Sequence, residues 1–109
     1  MVKVGLLVRL QAKAGKEAEV TAFLREALEM VNREDSTRAW FAVRLDLSTF
    51  GIFDAFEDEL GRQGHMAGPM AAALVARAPE LFVRRPVIDH IDILAAKLPE
   101  ISPALAPER

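Results

Sequence analysis

The stretch from Arg38 to Phe56, RAWFAVRLDLSTFGIFDAF, carries the reading on which the fold turns. In its first half Phe41, Val43 and Leu45 alternate with Trp40, Ala42 and Arg44, the period of two that sends side chains to opposite faces of a strand. Its second half, Phe50 to Phe56, is another aromatic and β-branched run. Only Ser48 and Thr49 stand between them, so the spacing predicts a β-hairpin with strands over Arg38–Leu47 and Phe50–Phe56.

Outward from this hairpin the pattern changes on both sides. Upstream, Val4, Leu6, Val8 and Leu10 alternate with Lys3, Gly5, Leu7 and Arg9, which predicts a strand over Val2–Leu10. Gly15 punctuates the chain. Then Val20, Phe23, Leu24, Ala27, Leu28 and Val31 recur at helical spacing, with Glu17, Arg25, Glu26, Glu29 and Arg33 on the other side. An amphipathic helix over Lys16–Arg33 follows.

Downstream, Asp58 is placed to cap a second helix, but Gly61, Gly64, Gly68 and Pro69 all fall within it. Proline inside a helix costs about 3 kcal/mol, so two pieces are expected, broken near His65 to Pro69. The second piece, Met70–Ala78, is expected to bury Leu74 and Val75 and to stop at Pro79. Pro86 opens a last strand, Val87–Ala95. Pro99, Pro103 and Pro107 make the final residues an irregular tail, so residues 1–97 are expected to form the domain and 98–109 a proline-rich extension.

The order β, α, β, β, α, β is that of an α+β, ferredoxin-like fold, a four-stranded antiparallel sheet with its helices on one face. Both faces of the strands are apolar, with Leu7, Trp40 and Ala42 opposite Val8, Phe41 and Val43. An apolar sheet face of several hundred Å² is unusual on a monomer. A twofold homodimer packed sheet against sheet is therefore expected, with Ile101 and Leu105 adding contacts across the axis.

Composition narrows the function classes. At 109 residues the chain has room for one core. Fourteen basic against sixteen acidic side chains leave no electrostatic footprint for a phosphate backbone, so nucleic acid is not an expected partner. The absence of cysteine removes disulfides, thiolate metal sites and a cysteine nucleophile, and fits a reducing compartment. Met1 to Leu10 is too short to span a bilayer and lacks the features of a signal peptide. A cytoplasmic protein without a membrane partner is the expectation.

The element order, the Ala14-Gly15-Lys16-Glu17 turn into the first helix, and the run Phe53-Asp54-Ala55-Phe56-Glu57-Asp58-Glu59 followed by His65 resemble the antibiotic biosynthesis monooxygenase (ABM) domain family. The resemblance covers roughly Val2 to Leu94. It implies a dimeric α+β barrel and the oxidation of a small aromatic phenol, quinol or polyketide by molecular oxygen, without metal or flavin. The family pattern of an acidic residue, an aromatic two positions on and a histidine about nine residues later falls on Asp54, Phe56 and His65. Here the aromatic is phenylalanine where the family has tryptophan or tyrosine, and the chain contains no tyrosine. The haem-degrading branch uses an asparagine on the first strand, and none stands between Met1 and Gln11. No cofactor is expected.

His65, at the break between helical pieces, is the candidate acid–base group, and Asp54, alternating with Ile52 and Phe56, is its candidate partner. Arg44 or a backbone amide is the other possible partner for Asp54. Trp40, Phe50, Phe56, Met66 and Met70 are candidates to line a pocket for a flat apolar ligand, although each is equally suited to the core. His90 and Asp92, two apart on one strand, would need His65 to complete an iron site, a weak pattern. Arg84 and Arg85 read as a solvated loop charge or as contacts to an anionic ligand. The alternative to an enzyme is a non-catalytic, ligand-binding or structural dimer of the same fold, to which the missing tyrosine and Phe56 point.

Overall fold

The computed structural model describes residues 1–99. Its elements are β1 (Val4–Gln11), α1 (Glu17–Val31), β2 (Thr37–Arg44), β3 (Thr49–Phe56), α2 (Glu59–Met66), α3 (Pro69–Leu81) and β4 (Val87–Asp92). The strands pair antiparallel in the order β2-β3-β1-β4, the α+β ferredoxin-like arrangement that the alternation predicted. Among the described residues no helix is long and apolar enough to cross a membrane. The proline-rich extension, with Ile101 and Leu105, lies outside the described residues apart from its first two positions.

Period-two burial separates the two sheet faces. Leu6, Val8 and Leu10 of β1 pair with Asp54, Ile52 and Phe50 of β3, and all six are buried beneath the helices. Val20, Phe23, Leu24 and Ala27 of α1 and Met70 and Leu74 of α3 complete this core. The opposite face is open. On it Phe41, Phe53 and Leu7 form one rung, with the two rings stacked 6.4 Å apart and Phe41 52% exposed.

Several boundaries differ from expectation. β2 ends at Arg44 because Asp46 turns the chain, its Oδ1 accepting from the amides of Ser48 (3.1 Å) and Thr49 (2.8 Å). β4 stops at Asp92 instead of Ala95. The helix after the break does not stop at Pro79 but runs on to Leu81. A proline so near the end forfeits only the bond to the Val75 carbonyl, and Val75, expected to be buried, is 68% exposed. Lys13 then closes the helix end, its Nζ donating to the Pro79 carbonyl (2.6 Å) and its amide to the Leu81 carbonyl (2.8 Å).

The break itself is where the glycines and proline placed it. Asp58 caps α2, Oδ1 accepting from the Gly61 amide at 2.9 Å. Gly68 is the N-cap of α3 with Pro69 at its first position, where the missing N–H costs no intrahelical bond. Gly5 has a different reason to be glycine: a Cβ there would meet the Asp54 carbonyl oxygen at 2.4 Å.

Candidate functional site

Three polar side chains from three elements meet beneath the α2–α3 break. Asp54 is the helix-facing residue of β3, flanked in register by Leu6 on β1 and Trp40 on β2. His65 is on the last turn of α2. Glu34 comes from the turn between α1 and β2, which is held by bonds from the Glu34 amide to the Val31 carbonyl (2.9 Å) and from the Thr37 amide to the Glu34 carbonyl (3.3 Å).

The imidazole stands between two carboxylates. His65 Nδ1 lies 2.6 Å from Glu34 Oε1, and Nε2 lies 3.2 Å from Asp54 Oδ2. The Thr37 hydroxyl donates to the same Glu34 oxygen at 2.6 Å, and the Phe56 ring packs 5.4 Å from the imidazole. Asp54 is 1% exposed and His65 6%. Burial is the strongest single influence on the imidazole and pushes its pKa down, but the hydrogen bonds and charges of Asp54 and Glu34 together outweigh it, so the pKa is raised.

This cluster leaves polar capacity unused. Both oxygens of Asp54, and Glu34 Oε2, are buried without a well-formed hydrogen bond; the Asp54–His65 contact is an ion-pair approach with poor hydrogen-bond alignment. Native interiors pair nearly all such groups, and the exceptions call for an explanation. Asp54 and His65 line a cavity of about 1140 Å³ between α3 and the β1 and β4 side of the sheet, with Met66 and Met70 among its walls and Leu6, Val8, Ile52, Leu74 and Ile88 making it largely apolar. The unused carboxylate therefore belongs to a chamber able to admit a ligand.

The expected pocket residues divide. Met66 and Met70 share the cavity with His65 and Asp54. Phe56 is fully buried and packs on His65 without lining the cavity. Trp40 and Phe50 line a separate cleft of about 530 Å³ between α1 and β2, because alternation gives a residue's face but not its place across the sheet. Trp40 nevertheless opposes Asp54 on the neighbouring strand, with its indole N–H buried and unpartnered.

Arg44 is not the partner of Asp54: its guanidinium donates to Thr21 (2.9 Å) and covers the Phe50 ring. His90 and Asp92 are exposed on the edge strand β4, and among the described residues no group of three or more His, Cys, Asp or Glu side chains is arranged to hold a metal ion. Arg84 and Arg85 line the same cavity as Asp54. Two residues were not anticipated. Glu34, half-buried, sits in a polar turn without periodicity, and Arg62, buried, on a glycine-rich helix; neither pattern marks an inward-facing charge.

No family model matches the chain, and no curated protein does. Solved structures do. A Mycobacterium tuberculosis protein, Rv0793, superposes with a TM-score of 0.73 at 19% identity, over 92% of this chain and 99% of its own. A structure described as an antibiotic biosynthesis monooxygenase gives 0.72 at 17% identity, over 84% and 99%. At those identities the likeness is one of fold. Much nearer is the Nitrosomonas europaea protein NE2512, described as of unknown function, with a TM-score of 0.90 and 52% identity over 92% of this chain and 97% of its own. The chain belongs to the same family as NE2512, within a fold shared with antibiotic biosynthesis monooxygenases.

Proposed function

We propose that the protein is a cofactor-independent monooxygenase that oxidises a small phenol, quinol or polyketide with molecular oxygen. The observation that carries this reading is the Asp54 carboxylate, buried in the wall of an apolar cavity with neither oxygen in a well-aligned hydrogen bond, Oδ2 meeting only the oblique approach of His65. A phenolic hydroxyl supplies that donor. His65, clamped by Glu34, holds the carboxylate in place, which moves the role of substrate-facing base from His65 to Asp54 and makes His65 its orienting and proton-storing partner.

The chemistry balances without a reductant. Asp54 removes the phenolic proton, and the negative charge spreads into the ring and onto an adjacent carbon. That electron-rich carbon passes one electron to O2, and recombination of the two radicals forms a C–O bond; proton return gives a hydroperoxide. Loss of the second C–H proton then breaks the O–O bond. The sum is CH2 + O2 → C=O + H2O, a four-electron oxidation of carbon matched by the four-electron reduction of oxygen. The apolar walls favour the step in which charge is dispersed and keep water from the intermediates.

The same reading makes the chain a homodimer joined through its open sheet face, where Phe41 and Val43 are exposed beside Phe53 and Leu7. Light scattering on the purified chain is expected to give twice the monomer mass, and a Phe41→Glu variant is expected to give the monomer. A wild-type monomer at micromolar concentration refutes the assembly.

Oxygen consumption over a panel of quinols and hydroxyaromatics tests the activity. Asp54→Asn and His65→Ala are each expected to lower turnover by about 10²-fold or more, the usual contribution of general acid–base catalysis, with the melting temperature changed little. Binding of the panel without oxygen uptake by the wild type replaces the enzyme with a ligand-binding dimer.

A further inference from the structure

Charge is distributed unevenly along the cavity. Among its lining residues Lys13, Arg84 and Arg85 are the basic side chains besides His65, and Asp54 is the single carboxylate, in a chain whose formal charge is −2. The two signs stand at different depths. Asp54 and His65 are buried, whereas Arg84 and Arg85 are exposed, at the bend that leads through Pro86 into β4. Between the two lie apolar walls that include Leu6, Val8, Met70 and Leu74.

The guanidinium groups are not committed elsewhere. Neither Arg84 nor Arg85 pairs with a carboxylate among the described residues, while Arg62 and Arg77 each take a nearby glutamate. Lys13 spends one proton on the Pro79 carbonyl and contributes its charge to the same rim. Arginine pairs recognise carboxylates through two parallel N–H donors, and a cationic mouth raises the local concentration of anions. The deep end asks for a donor and the rim for an acceptor.

We propose that the cavity takes a bipolar ligand, a hydroxy-substituted aromatic carboxylic acid, with its hydroxyl at Asp54 and its carboxylate at Arg84 and Arg85. This rests on Asp54 as the substrate-facing base and narrows the substrate from phenols in general to phenolic acids. The apolar ring system spans the walls, and the rim sets both orientation and selectivity.

The test uses 6-hydroxy-2-naphthoic acid, in which the two groups sit at opposite ends of a flat fluorescent ring, together with its methyl ester. Titrated under nitrogen against the full chain at low salt, the acid is expected to bind about tenfold or more tightly than the ester, a margin of one charge-assisted contact. Added salt is expected to shrink the margin. In Arg84→Ala/Arg85→Ala the preference is expected to vanish while ester affinity and melting temperature hold, and Arg84→Lys/Arg85→Lys is expected to retain most of it. Equal binding of acid and ester, no binding of either, or a preference that survives the alanine pair overturns the proposal. Oxygen uptake on admitting air is read separately. Acid preference without uptake leaves the ligand class standing and removes the monooxygenase; equal uptake with acid and ester does the reverse.

Discussion

Helix α2 buries two charged side chains three positions apart, Arg62 and His65, and gives them opposite surroundings. Arg62 Nη1 donates to the carbonyls of Gly5 (3.0 Å) and Ile91 (3.2 Å), and its remaining donors turn to Glu59, its neighbour one turn back. Its charge is answered by atoms that also join β1 to β4. His65 is answered too, but by two carboxylates, of which Asp54 lines a cavity with its oxygens short of a well-formed hydrogen bond. A buried charge whose every partner is satisfied is a strut, whereas one whose partner is left wanting a donor is a site. The difference lies in the hydrogen-bond ledger and not in burial, since both residues are nearly inaccessible.

The sharpest way to break this comparison is to remove the strut. Arg62→Ala removes the donor that the Gly5 and Ile91 carbonyls share beneath α2, and is expected to cost about 2 to 4 kcal/mol of folding stability. Urea unfolding measures it. Turnover per folded molecule is expected to stay near wild type, and a large loss of turnover at unchanged stability would exchange the roles assigned to Arg62 and His65.

Removing one carboxylate from the site sharpens the contrast further. Glu34→Gln keeps an oxygen for His65 Nδ1 and for the Thr37 hydroxyl but withdraws a charge from the imidazole. Glu34 acts through His65 and is a positioning residue. Turnover is expected to fall about tenfold, the worth of one charge-assisted hydrogen bond weakened by about 1.4 kcal/mol, and the pH profile is expected to move toward lower pH. A tenfold loss with an unmoved profile would mean that Glu34 shapes the turn and nothing more.

How far these residues were legible follows from what a linear pattern encodes. Alternation in Arg38–Phe56 gave the hairpin and put Asp54 on one face with Ile52 and Phe56; in the sheet Asp54 and Ile52 pair with Leu6 and Val8 beneath the helices. The glycines and Pro69 gave the helix break, and with it the position of His65. Glu34 was illegible because its burial is made by tertiary contact: the turn after α1 folds beneath the α2–α3 break, against Gly68. Trp40, grouped by alternation with Leu7, faces the helices with Leu6 instead, and it and Phe50 line a different cleft from Asp54, since lateral position depends on strand order, which no single strand carries. Arg62 was hidden by the glycines around it, which read as irregularity and conceal a well-capped turn.

The pH dependence of stability is the smallest of the expected effects and tests the cluster without any substrate. In the unfolded chain His65 titrates near its ordinary value of about 6.5. In the folded chain burial lowers the pKa, and the Asp54 and Glu34 carboxylates raise it by more, so the net direction is upward. A histidine whose folded pKa exceeds its unfolded one binds its proton more tightly in the native state, and the native state gains stability from it. That gain is complete below the unfolded pKa and is lost as pH rises through the folded pKa. The melting temperature of the wild type is thus expected to decline on going from slightly acid to mildly alkaline buffer, and His65→Gln, which has no proton to lose there, is expected to lack that part of the decline. Glu34→Gln, with one of the two raising carboxylates neutralised, is expected to show a smaller decline that ends at a lower pH than in the wild type. A wild-type profile that instead rises over this window would mean that burial outweighs the carboxylates, that the imidazole is neutral, and that Asp54 lacks the counter-charge on which its role as base depends.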